Sequence, residues 1–142
     1  MGEGEGEGMA EYNVSVAAGA IFSRKRTNAA LGKSMDVLFV VVLTTLPEDA
    51  DAAAFAQNLV GDRLAACVNL LPLMESVFRW EGRIDRGTER QLLIKTARDR
   101  VPALWDRIRA LHPYDVPEFV VLPIVDGSDA YLKWLGDSTL TA

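Results

Sequence analysis

Four apolar, strand-like runs and two amphipathic helical stretches follow one another in the order βαββαβ, and a short helical stretch closes the chain. That order predicts an α+β fold, a ferredoxin-like βαββαβ sandwich with a long β-hairpin and a C-terminal helix, because right-handed crossovers leave few other ways to connect it. Prolines supply a second observation. Pro72 and Pro123 fall in the second and fourth runs, the strands this topology puts at the sheet edges, where a missing N–H is tolerated. Length supplies a third, since 142 residues suffice for one domain with a hydrophobic core and not comfortably for two.

Residues 1–34 read as a disordered N-terminal extension. Met1 to Gly8 alternates glycine and glutamate, with nothing to bury and maximal backbone entropy to lose. Tyr12 to Ser34 lacks acidic residues and weakly suggests organelle targeting, against which the acidic start argues. The domain is expected over residues 35–142, with Met35 as its effective beginning.

Asp36 to Thr44 is a continuous apolar and β-branched run, as for a central strand buried on both faces. Thr45-Leu46-Pro47-Glu48 fits a capping box and predicts a helix start. Ala52, Phe55, Ala56, Leu59 and Val60 then form one apolar stripe, ending near Arg63 to Ala65. Ala66 to Leu71 is the second strand, interrupted at Pro72 and resuming beyond it. From Val77 to Asp85 the period is two, so Glu81-Gly82 is read as strand and Arg86-Gly87-Thr88 as the hairpin loop. Arg90 to Thr96 returns as an apolar strand. Pro102 opens a second helix patterned by Val101, Leu104, Trp105, Ile108 and Leu111, which Pro113 ends. Glu118 to Val125 is the last strand, and Ser128 or Asp129 caps the final helix.

Two open edges and a protruding hairpin are an aggregation liability, and self-assembly through those edges is the natural cover. A net charge of −5 works against partners bound by phosphate neutralisation, so nucleic acid and anionic membrane are excluded as partners, while cations are attracted. No apolar run approaches the roughly 20 residues of a membrane helix. One cysteine, Cys67, with no secretory-type signal, points to the cytoplasm.

Four stretches look specific: Arg63-Leu64-Ala65-Ala66-Cys67-Val68-Asn69-Leu70-Leu71-Pro72, Trp80-Glu81-Gly82-Arg83-Ile84, Leu93-Ile94-Lys95-Thr96 and Leu111-His112-Pro113-Tyr114-Asp115-Val116-Pro117-Glu118. In order and spacing they resemble the CutA family over about residues 36–136. The resemblance implies a homotrimer of ferredoxin-like subunits, similar in fold to the nitrogen-regulatory PII proteins, and a role in tolerance to copper and other divalent cations. In some bacterial members a cysteine ends the first strand and two histidines precede the Pro-Tyr pair, as proposed copper ligands. Here Thr44 stands at the first position and Leu111-His112 at the second. Both a thiolate and an imidazole are therefore lost, the ligands that make a soft-metal site tight.

His112, the only histidine, is a metal-ligand candidate with Glu118 as its helper, or else a helix-end histidine favourably placed against the dipole. Lys95, Tyr114, Glu118 and Trp80 lie at strand ends and connections and would serve an ion or small-molecule cleft between subunits; for Trp80 the plainer reading is packing. Cys67 reads as a small apolar strand residue. An enzyme is not expected: there is no nucleophile elbow or phosphate-cradling glycine loop, and only one histidine could serve as base. Glu48, Asp49 and Asp51 would repel phosphate at an acylphosphatase-like site, and Leu92, Leu93 and Ile94 occupy a strand where RNA recognition needs aromatics. The leading expectation is a trimeric divalent-cation tolerance protein that binds metal weakly. The alternatives are a PII-like small-molecule sensor and a trimeric scaffold module.

Overall fold

The computed structural model describes residues 37–141, so the expected extension over residues 1–34 lies outside the described residues. Strands β1 (Phe39–Pro47), β2 (Cys67–Trp80), β3 (Arg83–Ala97) and β4 (Val120–Pro123) alternate with helices α1 (Ala52–Gly61), α2 (Val101–Leu111) and α3 (Asp129–Thr139). A 3-10 turn over Arg98–Arg100 leads into α2. The sheet order is β2-β3-β1-β4, the ferredoxin-like arrangement, with the proline-bearing β2 and β4 at the edges. Among the described residues the contacts define two compact units, residues 37–76 with 87–141 and residues 77–86.

In the larger unit, β1 pairs antiparallel with β3 from Phe39 opposite Ala97 to Pro47 opposite Glu89. On its other side β1 pairs with β4, from Val40 opposite Pro123 to Leu43 opposite Val120. Alternation sends Val40, Val42, Leu46, Leu92 and Ile94 to one face, where they pack with Phe55 and Leu59 of α1 and Leu104 and Ile108 of α2. This is the core. Thr96 shares that face and donates its hydroxyl to the Leu64 carbonyl at 2.7 Å.

The expected helix start at Thr45 is overturned. Thr45 and Leu46 continue β1, laddered opposite Gln91 and Arg90, and the helix begins seven residues after Thr45. Its cap is Asp51, whose carboxylate accepts the Ala54 N–H at 3.0 Å. The ladder with β3 outweighs a local capping pattern because it satisfies the same backbone groups and also buries Leu46. At the other end of α1, Arg63 adopts φ 58°. Its N–H bonds Val60 O and that of Leu64 bonds Leu59 O, a Schellman closure with arginine where glycine is usual.

β2 runs without interruption through Pro72, correcting the expected break; on an edge strand the proline's missing N–H is tolerated. In the smaller unit, the end of β2 and the start of β3 are joined at Glu81-Gly82, with φ 49° and 80°. Both central residues are left-handed, as a two-residue primed turn requires. The predicted loop Arg86-Gly87-Thr88 is instead strand. The Glu-Gly pair lacks the asparagine or aspartate that marks such turns, and its setting in a period-two run concealed it.

The final helix is capped as expected, with the Ser128 hydroxyl accepting the Tyr131 N–H at 3.2 Å.

Candidate functional site

Polar groups gather where β1 ends, where the middle of β3 passes it, and where the chain leaves α2. His112 caps α2, its N–H bonding Ile108 O at 2.8 Å. Pro113 then breaks the helix and turns the chain back, so that the ring lies only 8% exposed. Its Nδ1 accepts the Tyr114 N–H at 3.1 Å, which leaves Nε2 protonated and donating to the Thr45 carbonyl at 2.6 Å. The Phe55 ring meets it edge-on at 6.3 Å and the Tyr114 ring lies 4.9 Å away. Burial holds the His112 pKa below its ordinary 6.5, outweighing the Thr45 hydrogen bond and the nearby Glu89 charge, which both favour the imidazolium.

Gln91 reaches across β1 and donates from Nε2 to the Thr44 carbonyl and to Glu118 Oε2, both at 2.8 Å. Glu118 is thereby fixed just ahead of β4. Glu89 and Thr45 are each 2% exposed, and among the described residues neither the Glu89 carboxylate oxygens nor the Thr45 hydroxyl have a hydrogen-bond partner. The Thr44 hydroxyl, on the core face, is unpartnered as well.

The predicted site residues are thus only partly together. The Tyr114 ring lies against His112, tilted by 49°, while Glu118 is tied to Gln91. Lys95 is occupied elsewhere, with Nζ 5.9 Å from the centre of the Tyr131 ring of α3. Trp80 ends β2 in the smaller unit. Cys67 is half-buried at the start of β2 and carries a free thiol. An open cleft of about 580 Å³, lined in part by Phe39, Arg98, Arg100, Lys133 and Leu140, includes none of the predicted site residues.

Sequence reasoning missed Thr45, Glu89 and Gln91. Placing the hairpin loop at residues 86–88 and the next strand from Arg90 left Glu89 outside the strand, and placing a helix start at Thr45 made its hydroxyl a cap. The signal that would have found them is the register: once the turn is at Glu81-Gly82, Glu89 falls within a buried strand opposite Pro47.

For copper the donor set does not fit a tight site. The one imidazole has both nitrogens engaged, Thr44 offers a hydroxyl in place of a thiolate, and among the described residues no three His, Cys, Asp or Glu side chains converge.

Comparison with known proteins places the whole arrangement in context. A family model described as "CutA1 divalent ion tolerance protein" matches residues 40–138. The chain is 48% identical over 99 residues to the divalent-cation tolerance protein CutA of Thermus thermophilus, covering 70% of this chain and 96% of that one. It is 43% identical over 106 residues to the chloroplastic CutA protein of Arabidopsis thaliana, covering 75% of this chain and 58% of the relative. The solved CutA1 structure from Oryza sativa superposes with a TM-score of 0.71 at 40% identity, covering 77% of this chain and 100% of that one. Over residues 40–138, nearly all of the described domain, this chain belongs to the CutA family.

Proposed function

We propose that the protein is a homotrimeric, cytoplasmic CutA-type protein that serves tolerance to divalent metal ions, copper among them, by weak binding rather than by catalysis. The observation that carries this reading is the likeness, over most of both chains, to a protein named for divalent-cation tolerance. Assembly is supported by apolar side chains exposed along both edges, Leu70 and Leu73 on β2 and Val120 and Leu122 on β4, which a single chain leaves in water. No helix among the described residues is long and apolar enough to cross a membrane.

His112 and Glu118 are the contacts assigned to the metal. His112 must release either the Thr45 carbonyl or the Tyr114 N–H to ligate, and that lost hydrogen bond is why binding is weak. Titration calorimetry of the full chain with copper and zinc, beside His112→Gln and after light scattering establishes the trimer, tests this. Weak binding that the substitution reduces supports it; binding unchanged by the substitution removes His112 from the site.

A small-molecule sensor, with Lys95, Tyr114, Glu118 and Trp80 in a cleft between subunits, is the second reading. Glu118, anchored by Gln91 on the face that also carries Glu89, which has no hydrogen-bond partner among the described residues, is the observation in its favour. Absence of any metal binding in the titration shifts the weight to it.

A further inference from the structure

The open cleft of about 580 Å³ lies within the larger unit, where the start of β1, the 3-10 turn after β3 and helix α3 come together. Arg98 N–H donates to the Leu38 carbonyl at 2.7 Å and ties the turn to the strand. Phe39 and Leu132, both half-buried, supply apolar wall. Leu38 and Leu140 stand on the rim, 65% and 64% exposed, and leave their apolar surface in water. The volume is that of a site for a small organic molecule.

The charges are unlike those of the rest of the chain. Against a net charge of −5, the cleft gathers Arg98, Arg100 and Lys133 with Asp99 and Asp137, an excess of one positive charge. Lys133 and Asp137 neutralise each other, Nζ to Oδ2 at 2.6 Å. Neither arginine is ion-paired among the described residues. Arg100 is anchored by Nε, which donates to the Arg63 carbonyl at 3.2 Å, and its two terminal nitrogens stay open to a ligand. A guanidinium presents its N–H groups as a planar fork that matches a carboxylate. Asp99, between the two arginines in the chain, disfavours a second negative charge, so a phosphate dianion fits less well than a carboxylate.

We propose that this cleft binds a small monocarboxylate with an apolar body, its head on Arg98 and Arg100 and its body along Leu38, Phe39, Leu132 and Leu140. The arginines supply countercharge and donors, and the leucines supply the apolar surface that the body covers. None of these residues belongs to the His112 and Glu118 metal reading or to the sensor reading around Lys95, so the site stands or falls without either.

The test is ligand-observed saturation-transfer NMR on the full chain, titrated with hexanoate, acetate, hexanol and hexylammonium. Each methylene the cleft buries tightens binding about fourfold, so hexanoate should bind well ahead of acetate. It should also bind ahead of hexanol, which keeps the tail and lacks the charge. Arg98→Gln and Leu140→Ser change exposed side chains, and each should weaken hexanoate about fivefold while the oligomeric state in light scattering stays that of the natural sequence. That pattern supports the site. No hexanoate binding overturns the proposal, as does hexanol or hexylammonium binding as tightly as hexanoate, or hexanoate affinity unchanged in either variant. A changed oligomeric state in the variants assigns the cleft to contact between copies of the chain and overturns it too.

Discussion

On the helix-facing side of the β1–β3 ladder, Val40, Val42, Leu92 and Ile94 are sealed under α1 and α2. One residue along each strand, the opposite side carries Lys95, Gln91, Glu89 and Thr45, with α3 reaching it through the Tyr131 contact to Lys95. The two faces share backbone, register and twist. They differ in what each side chain is asked to satisfy: apolar surface removed from water on one, charge and hydrogen bonds on the other. The first can be completed within one chain. The second contains a carboxylate that nothing among the described residues completes.

The largest effect that tests this contrast is a pair of truncations on adjacent residues. Ile94→Ala opens a hole under both helices and should cost about 2–5 kcal/mol in denaturant unfolding. Leu93, half-buried on the opposite face, should cost clearly less when truncated in the same way. Equal losses would break the comparison, because they would mean that the opposite face is covered as fully as the core, by other copies of the chain.

Two threonines on the core face sharpen it at smaller scale. Thr96 donates to the Leu64 carbonyl, so Thr96→Val strands that acceptor and should destabilise by about 1–2 kcal/mol. The Thr44 hydroxyl is buried with no partner among the described residues, so Thr44→Val removes an unmet group at constant shape and should stabilise by about 1 kcal/mol. Loss of stability in Thr44→Val would show that its hydroxyl is satisfied by something outside the single chain.

The core face was legible in the sequence because its signal is redundant. Val37 to Leu43 is apolar throughout, and the helical stripes of α1 and α2 each repeat the same message at their own period. The prolines at 72 and 123 marked the edges correctly, since the missing N–H is a local fact with a topological consequence. The site face was not legible, for a physical reason. Whether Glu89 sits in a loop or a buried strand depends on where the hairpin turns, and that is set by two left-handed residues, Glu81 and Gly82, of which one carries a side chain that seldom adopts that conformation. A turn displaced by a few residues changes what a carboxylate faces without disturbing any hydrophobic pattern. His112 and Glu118 were reachable because proline-flanked loop ends announce themselves, whereas Gln91, which ties Glu118 to Thr44, lies in a strand and looks like any polar outward residue until the register is known.

The smallest of these effects concerns the residue between the faces. His112 is held neutral by burial, with its pKa below the ordinary 6.5 despite the Thr45 carbonyl and the Glu89 charge. Above pH 6.5 the imidazole is neutral whether folded or unfolded, and its contribution is fully present. As the pH falls through 6.5 the unfolded chain takes up the proton first, so stability declines until the folded pKa is passed. His112 is the only histidine, so no other side chain has its ordinary titration in this window. Denaturant midpoints measured from pH 7.5 down to 5.5 should therefore drop in the natural sequence and drop less in His112→Gln. A rise on acidification would mean that the imidazolium is the favoured form, which requires Glu89 to turn towards His112 as its partner. The carboxylate would then be completed from within the chain, and the difference between the two faces would disappear.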